Sequence, residues 1–306
     1  MNDPDHSGED VTTNAPIPVS PERHGGRFWR RFTSWDFAAR RRLVPIVLGE
    51  HEQVAASLPF FFVRTRAGVW PVALSRLREE GPCAMVSPNG VWRGSYIPSI
   101  LRVHPFTAQR TPEGSLALLV DEASGFVTDD PGDEPFFTDD GNPTPAMQQV
   151  IGFFQERTAA ETRTRDAMAE VMARDLLVPF EAPPGLAQMD TQGLLVPDRA
   201  RIESLRRTEL SALHRCGALV LLHVQAVSLH HLPLIAAAEA QPDRPASAAA
   251  PDLPTAAPDT PGPAQEAALS GFLDALAASQ EREADLPARD EDEKPDHDGP
   301  TGTSRG

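Results

Sequence analysis

The sequence has only two cysteines and no long apolar run, and each shortage excludes a class of protein. Two cysteines cannot form a disulfide framework, and neither stands in a C-x-x-C pair typical of metal sites. No apolar run approaches the ~18 residues of a transmembrane helix, and the polar, acidic start is unlike a secretory signal. We therefore expect a soluble, cytoplasmic protein with reduced thiols and no integral membrane segment.

Widespread catalytic signatures are also missing. The chain contains no G-x-S-x-G, P-loop, G-x-G-x-x-G or H-E-x-x-H pattern. Four histidines cluster near one predicted helix, but His223 and His230 are seven residues apart, too far for one metal ion. The acids between residues 129 and 141 do not have the spacing of a calcium loop. The sequence thus indicates no cofactor and no metal, and it leaves open whether the protein is an enzyme.

The net charge of -16 is concentrated near the C-terminus. Residues 241–306 hold 14 acids, five bases and 10 of the 31 prolines, a composition that predicts disorder. Within them, ALSGFLDALAAS (268–279) has apolar residues at helical spacing. This segment is either a helix that docks into a groove or a transient helix with no partner. Because the charge is acidic, we expect no indiscriminate binding of nucleic acid.

An arginine-rich and aromatic segment precedes the predicted domain. Residues 22–42 (ERHGGRFWRRFTSWDFAARRR) contain seven arginines, two tryptophans and three phenylalanines. Such a segment could stack on single-stranded nucleic acid or lie at a membrane surface. Alternatively, it is a strap whose aromatic side chains pack on the domain, since Glu22 and Asp36 interrupt its positive charge. We assign residues 1–40 to a disordered extension that carries this strap.

Short apolar runs separated by turn residues predict the first half of the domain. Pro71 favours an edge position, or a late start, for the second strand. The predicted strands are 57–65, 68–77, 83–92 and 115–122, with turns at 66–68 and at Pro-Asn-Gly (88–90) and a short helix over 95–106.

Helical patterns dominate the second half. Thr144 and Pro145 predict a helix start, although the polar stretch 156–167 is either part of one long helix or a break between two. A core helix is predicted to end before Pro233, with a stripe of Leu210, Leu213, Gly217, Val220, Val224 and Val227. The fold class is therefore α+β, a small antiparallel-rich sheet followed by a C-terminal helical layer, with a domain over residues 41–239 and a tail over 240–306.

The segment from Trp92 to Phe106 is the densest in residues suited to binding. Fixed guanidinium groups beside aromatic rings recognise carboxylates, phosphates or planar groups. On an alternative interpretation the apolar residues are core and the arginines pair with acids at the end of the fourth strand. The candidate binding residues are Trp92, Arg93, Tyr96, Arg102, His104, Asp121, Glu122, Asp139 and Gly141.

The same segment resembles the signature of the bacterial SapC family. The similarity rests on W-R-G-x-Y-I-P-x-x-L-R-x-x-P-F, which runs from Trp92 to Phe106. Three further stretches agree with it: GEHEQVAASLPFFFV (49–63), DEPFFTDDGNPTPAMQ (134–148) and RTELSALHRCGALVLLHVQAVSL (207–229). The resemblance covers about residues 40–238. His104 stands where an aromatic residue or arginine is commoner in the family.

The resemblance implies neither a reaction nor residue roles, and the family name refers to a gene associated with a bacterial surface layer. We expect a cytoplasmic binding or accessory module for a peptide, a protein or an anionic small molecule. One alternative is an enzyme acting on a peptide or carbohydrate, with Asp121, Glu122 or His104 as acid or base. Another is a surface-layer-associated protein, which would need a non-classical route of export.

Overall fold

Antiparallel strands form three sheets in the part of the chain that the computed structural model describes, residues 15–111 and 115–241. The strands are β1 (Ile17–Pro18), β2 (Phe28–Trp29), β3 (Leu43–Pro45), β4 (Phe60–Thr65), β5 (Gly68–Leu74), β6 (Phe106–Arg110), β7 (Leu116–Val120), β8 (Val127–Thr128), β9 (Glu134–Pro135), β10 (Leu177–Pro179) and β11 (Leu194–Pro197). Their order is β10-β11-β4-β5-β3 in the largest sheet and β1-β7-β6 and β8-β2-β9 in the others.

Helices lie between the strands and form the whole described C-terminal region after β11, which confirms the predicted α+β class. The α-helices are α1 (Pro21–His24), α2 (Asp36–Ala39), α3 (His51–Ala55), α4 (Pro145–Ala173), α5 (Arg199–Glu203), α6 (Arg207–Arg215), α7 (Ala218–Ser228) and α8 (Leu232–Ala240). Short 3-10 helices span Ser99–Val103, Glu122–Ser124, Pro184–Leu186 and Leu229–His231. The predicted tail after Gln241 lies outside the described residues, and its boundary stays a prediction.

Strands β4 and β5 form the centre of the main core. Phe60, Phe61 and Phe62 are completely buried, as expected of a strand covered on both faces. A two-residue turn, Arg66–Ala67, joins β4 to β5 and confirms the predicted hairpin. A second, smaller core surrounds Trp29, Phe106 and Phe136 beside the two smaller sheets.

Pro71 does not lie in an edge strand, because β5 pairs with β4 on one side and β3 on the other. The N and O atoms of one strand residue point to the same side, and the Pro71 carbonyl accepts a hydrogen bond from Ile46 N. The Pro71 nitrogen, which has no hydrogen, therefore lies on the β3 side of β5, just beyond the last pair of that register, Pro45↔Val72. The missing N–H thus costs no hydrogen bond between β3 and β5.

The predicted strand over residues 83–92 is wrong. The chain folds back on itself at the Pro-Asn-Gly turn, and a single antiparallel bridge joins Val86 to Trp92. The reason is the turn itself: Gly90 N donates to Ser87 O, and Ser87 N donates to Val91 O. The apolar run is buried as a loop rather than as a ladder.

The arginine-rich strap packs its aromatic side chains on the domain. Trp29 and Trp35 are buried, and Phe32 lies edge-on to Trp35 with ring centroids 4.7 Å apart. Part of the positive charge is paired, since Arg23 and Arg27 contact Glu122 and Asp129. The interpretation of this segment as a strap is therefore confirmed for its two tryptophans.

Helix α4 is one continuous helix of 29 residues. The Thr144 hydroxyl accepts a hydrogen bond from Met147 N, and Pro145 occupies the first turn, as predicted. The polar stretch 156–167 does not break the helix, because its inward positions carry the buried side chains of Arg157 and Thr164.

The predicted core stripe from Leu210 to Val227 is wrong at Val220 and Val227. Helix α6 ends at Arg215, and Gly217 adopts the left-handed conformation with φ of 77° before α7 begins. This break changes which side of the second helix faces the core. As a result Val220 and Val227 are exposed, whereas Gln225 and Ser228 are buried.

Helix α7 ends at Ser228, before Pro233, as predicted. A 3-10 turn (Leu229–His231) leads into α8, where Pro233 occupies the first turn and its missing N–H is harmless. The stretch Ala218–Ala240 is, among the described residues, a helical segment long and apolar enough to cross a membrane by length and composition alone. Its inner side is attached to β4. The Gln225 side-chain amide donates to Phe60 O at 2.8 Å, and Phe60 N donates to the Ser228 hydroxyl at 3.1 Å.

Candidate functional site

A buried carboxylate, Glu50, forms the centre of a polar network between the sheet and α4. Glu50 immediately precedes α3, and its side chain turns back so that Oε1 accepts from Val47 N at 3.2 Å. Its other oxygen, Oε2, accepts from Ser99 N at 2.7 Å and from the Tyr96 hydroxyl at 3.0 Å. The carboxylate thus replaces lost hydration with fixed donors, as burial of a charge requires.

Arg157 of α4 supplies the opposite charge. Its Nη1 lies 3.3 Å from Glu50 Oε1 and donates to the Ser99 hydroxyl at 2.9 Å. Its Nη2 donates to Pro45 O at 3.2 Å, and Nε lies 3.2 Å from Glu161, one helical turn further on. The side chains of Arg157 and Glu50 are only 5% and 6% exposed, so this is a buried and paired set of charges.

Tyr96 connects the buried pair to Arg102. The Tyr96 hydroxyl donates to Glu50 and accepts from Arg102 Nη2 at 3.3 Å. The Arg102 guanidinium carbon lies 5.5 Å from the centre of the Tyr96 ring, within cation–π distance. Burial, and then the Glu50 carboxylate, raises the pKa of Tyr96, so the phenol stays neutral and able to donate.

Arg102 has no carboxylate within ion-pairing distance among residues 15–111 and 115–241, unlike Arg157. Its Nε atom is buried and has no hydrogen-bond acceptor, while the side chain as a whole is half-buried. A guanidinium keeps its charge at any physiological pH. The network therefore ends at a cation that has no direct carboxylate partner in the described part of the protein.

Two predicted binding residues of the same segment, Trp92 and Arg93, lie outside the contacts around Glu50 and Arg102. Trp92 is buried, 5.9 Å from Trp35 between ring centroids, and its indole N–H donates to Tyr96 O at 3.0 Å. Trp92 therefore fixes the backbone of Tyr96 from within the core. Arg93 directs Nη1 toward Ala84 O at 3.5 Å and is half-buried.

His104 lies in an aromatic cluster rather than in the Glu50 network. Its imidazole is stacked on Phe37 at 4.0 Å and meets Phe126 edge-on at 5.3 Å. Burial, followed by repulsion from Arg41, lowers the pKa of His104 to about 4, although Asp121 acts in the opposite sense. The ring is therefore neutral at pH 7.

The acids at the end of β7 have separate partners. Asp121 accepts a hydrogen bond from Ala123 N at 3.0 Å and caps a short 3-10 helix. Glu122 accepts two hydrogen bonds from Arg23, at 2.7 and 2.9 Å, which hold the pKa of Glu122 at about 2. The alternative prediction, that these acids pair with Arg93 or Arg102, is wrong for Glu122, because Glu122 pairs with Arg23.

Asp139 and Gly141 lie on the turn that leads into α4. Gly141, with φ of 75°, donates to Thr138 O, and the turn is closed by the bridge between Phe137 and Pro143. Asp139 is exposed. No hydrogen bond or ion pair within the described residues joins either residue to Tyr96 or Arg102.

A separate surface pocket of about 390 Å³ lies beside the β2–β9 pair. It is lined by Trp29, Arg30, Arg31, Gly132, Asp133 and Glu134, none of which is among the predicted site residues. No group of three or more His, Cys, Asp or Glu side chains suited to a metal ion occurs among the described residues.

A comparison with protein-family models matches residues 19–234 to SapC. The chain belongs to the SapC family. No curated protein and no solved structure matches it. The suspected resemblance is thereby confirmed, and the matched region contains every residue of the Glu50 network.

Two of the four stretches that resemble SapC meet at this network. Residues 49–63 contribute Glu50, and also Ser57, whose hydroxyl accepts from Tyr96 N at 3.2 Å. The segment from Trp92 to Phe106 contributes Tyr96 and Arg102. The sequence analysis did not identify Glu50 or Arg157 as site residues. Glu50 is one residue of the stretch 49–63 and has no local feature that marks it. Arg157 belongs to the polar stretch 156–167, for which only solvent exposure or a helix break was predicted.

Proposed function

We propose that this SapC-family protein is a cytoplasmic binding or accessory module that holds an anionic group of a peptide or small molecule at Arg102, beside Tyr96. The observation that carries the proposal is the half-buried Arg102 guanidinium, which has no carboxylate partner among the described residues.

An incoming anion would compensate a cost that the free protein bears. Removing a cation from water is unfavourable unless an opposite charge or hydrogen-bond acceptors replace the lost hydration. Arg102 donates to Tyr96 through Nη2 and retains further donors for a carboxylate or phosphate, which a guanidinium binds in a forked geometry. Glu50 does not serve as the anion partner of Arg102, because Glu50 forms its ion pair with Arg157.

The enzyme alternative has less support. Glu122 is held by Arg23 and has its pKa at about 2, and His104 is neutral among aromatic rings. A general acid or base works best with a pKa near the working pH, and neither side chain has one. A surface-layer role rests on the family name alone.

Thermal unfolding of the full chain tests the proposal, with inorganic phosphate and an acetylated Glu-Glu-Glu peptide as probes at matched ionic strength. A ligand that binds only the folded state raises the melting temperature. We expect at least one probe to raise the Tm of the wild type and of the control Arg207→Gln, but not that of Arg102→Gln. Arg207 is an exposed arginine with no carboxylate partner among the described residues. An equal rise in Arg102→Gln, or none in any protein, would overturn the assignment.

A further inference from the structure

The surface pocket beside β2 and β9 combines opposite charges that do not pair with one another. Its volume of about 390 Å³ is in the range of small-molecule sites. Arg30 and Arg31 line it together with Asp133 and Glu134. Within residues 15–111 and 115–241, no ion pair joins either arginine to either acid. The pocket therefore presents two cations and two anions to a molecule that enters it.

The two arginines of the pocket have unused hydrogen-bond donors. Arg30 donates from Nη2 to Gly125 O at 3.2 Å, and the Arg31 side chain has no hydrogen-bond or ion-pair partner among the described residues. Both residues are exposed, so a ligand can reach them. A guanidinium carries five N–H donors in a fixed fork that matches the two oxygens of a carboxylate. This side of the pocket is therefore suited to a carboxylate.

The two acids of the pocket have unused acceptors. Asp133 accepts from the Thr128 hydroxyl through Oδ2 at 2.7 Å, whereas its Oδ1 has no donor among the described residues. Glu134 is the first residue of β9, and its exposed side chain has no hydrogen-bond or ion-pair partner in the same part of the chain. Carboxylate oxygens accept strong hydrogen bonds from an ammonium group. This side of the pocket is therefore suited to an ammonium group.

The backbone around the pocket is fixed before any ligand binds. Trp29 is 4% exposed and packs edge-on against Phe106, with ring centroids 5.0 Å apart, and its strand β2 pairs with both β8 and β9. In the turn between β8 and β9, the Asp130 carboxylate accepts from Gly132 N at 2.9 Å, and the Asp130 carbonyl accepts from Asp133 N at 3.0 Å. A preformed pocket loses less conformational entropy on binding than a mobile one.

A ligand with a single charge does not match this arrangement. An anion bound to the arginines lies in a pocket with two carboxylates that repel it, and a cation bound to the acids lies in a pocket with two guanidinium groups. A molecule that carries a carboxylate and an ammonium group contacts an opposite charge at each end. Amino acids and short peptides with free termini are such molecules.

We infer that the pocket binds a small zwitterion, an amino acid or dipeptide, with its carboxylate at Arg30 and Arg31 and its ammonium group at Asp133 and Glu134. The site shares no residue with the contacts around Arg102. The inference therefore does not depend on the ligand proposed there.

Isothermal titration of the full chain with glycylglycine and its two blocked forms tests the inference. Glycylglycine carries both charges, N-acetylglycylglycine keeps only the carboxylate, and glycylglycinamide keeps only the ammonium group. At matched ionic strength we expect each blocked form to bind the wild type at least about tenfold more weakly than glycylglycine. Equal binding of all three compounds, or binding of none, would overturn the inference without the need for a variant.

Two variants assign the two ends of the ligand. Arg30→Gln/Arg31→Gln should remove the preference for glycylglycine over glycylglycinamide, and Glu134→Gln should reduce the preference over N-acetylglycylglycine. The matched control Arg207→Gln/Arg215→Gln removes the same charge from exposed positions of α6 outside the pocket, and it should bind as the wild type does. Unchanged melting temperatures would show that the variants are folded. Preferences that stay at the wild-type values in both pocket variants contradict the assignment.

The same titrations distinguish this pocket from the anion site proposed at Arg102. Arg102→Gln should bind glycylglycine with wild-type affinity, because Arg102 does not line the pocket. Loss of binding in Arg102→Gln, together with wild-type binding in Arg30→Gln/Arg31→Gln, would assign the zwitterion to Arg102 and overturn the inference about the pocket. Loss in the pocket variant alone supports it, whatever the outcome at Arg102.

Discussion

Arg157 and Arg102 belong to one hydrogen-bonded network but differ in how their charges are balanced. Arg157 is buried beside Glu50 and Glu161, and every carboxylate close to it is also hydrogen-bonded or partly hydrated. Arg102 is half-buried, contacts a neutral phenol and has no carboxylate within ion-pairing distance among the described residues. The difference indicates that one arginine stabilises the fold, while the other has capacity left for a ligand.

The largest effect should come from exchanging the inner arginine. Arg157→Gln leaves the buried Glu50 carboxylate without its cation, which we expect to lower the free energy of unfolding by about 3–5 kcal/mol. The same substitution at Arg102 should change it by less than about 1 kcal/mol, because no ion pair is lost. Urea unfolding at pH 7 measures both variants. Similar losses in the two would mean that Arg102 is a structural residue like Arg157.

A smaller effect should follow when the link between the two arginines is removed. Tyr96→Phe deletes a hydroxyl that donates to Glu50 and accepts from Arg102. We expect a loss of about 1.5–3 kcal/mol, the range for a hydrogen bond to a charged group. Glu50 Oε2 keeps the bond from Ser99 N, which limits the damage. Urea unfolding of the single variant and of Tyr96→Phe/Arg102→Gln checks the link. If the two losses simply add, Tyr96 does not couple the arginines.

An effect that is absent at pH 7 should be a pH dependence at His104, two residues beyond Arg102. Burial, followed by repulsion from Arg41, lowers the pKa of His104 to about 4. The unfolded chain, with a pKa near 6.5, therefore binds a proton that the folded chain excludes, so stability falls as pH decreases from about 6.5 to 4. His104→Phe should flatten the unfolding free energy over this window. Glu122, with its pKa at about 2, acts in both proteins only below about pH 4.5.

An unchanged slope in His104→Phe would assign the acid sensitivity to other groups. The double substitution with Glu122→Gln separates the two windows, because Glu122 loses its bonds to Arg23 only as it is protonated. Chemical unfolding at pH 7, 5.5 and about 3.5 is sufficient to resolve them.

Local signals predicted much of the fold. The buried run at β4, the turn at Arg66–Ala67 and the Thr144–Pro145 helix start depend on neighbours within a few residues, and all three are confirmed. The chain near Gly217 shows the limit of such signals. One residue with positive φ separates two helices, and a periodicity carried across it assigns Val227 to the wrong side.

The candidate site could be predicted only in part, because its centre depends on contacts between distant residues. Tyr96 and Arg102 were identified from the density of aromatic and guanidinium groups in one segment. Glu50 and Arg157 are 107 residues apart, and nothing local marks either as buried. A charged side chain in a polar run is usually solvated, so only the packing of α4 against the sheet reveals that Arg157 faces inward.

The two hydrogen bonds between α7 and Phe60 have a mechanical consequence. The Gln225 amide donates to the Phe60 carbonyl, and the Ser228 hydroxyl accepts from the Phe60 N–H. Both backbone polar groups of one strand residue are therefore hydrogen-bonded to α7. Rolling α7 about its axis to hide Val227 would break both bonds and leave a buried donor and a buried acceptor, at about 1–3 kcal/mol each. The helix is thus pinned against rotation, and its apolar outer side stays turned outward whether or not anything covers it.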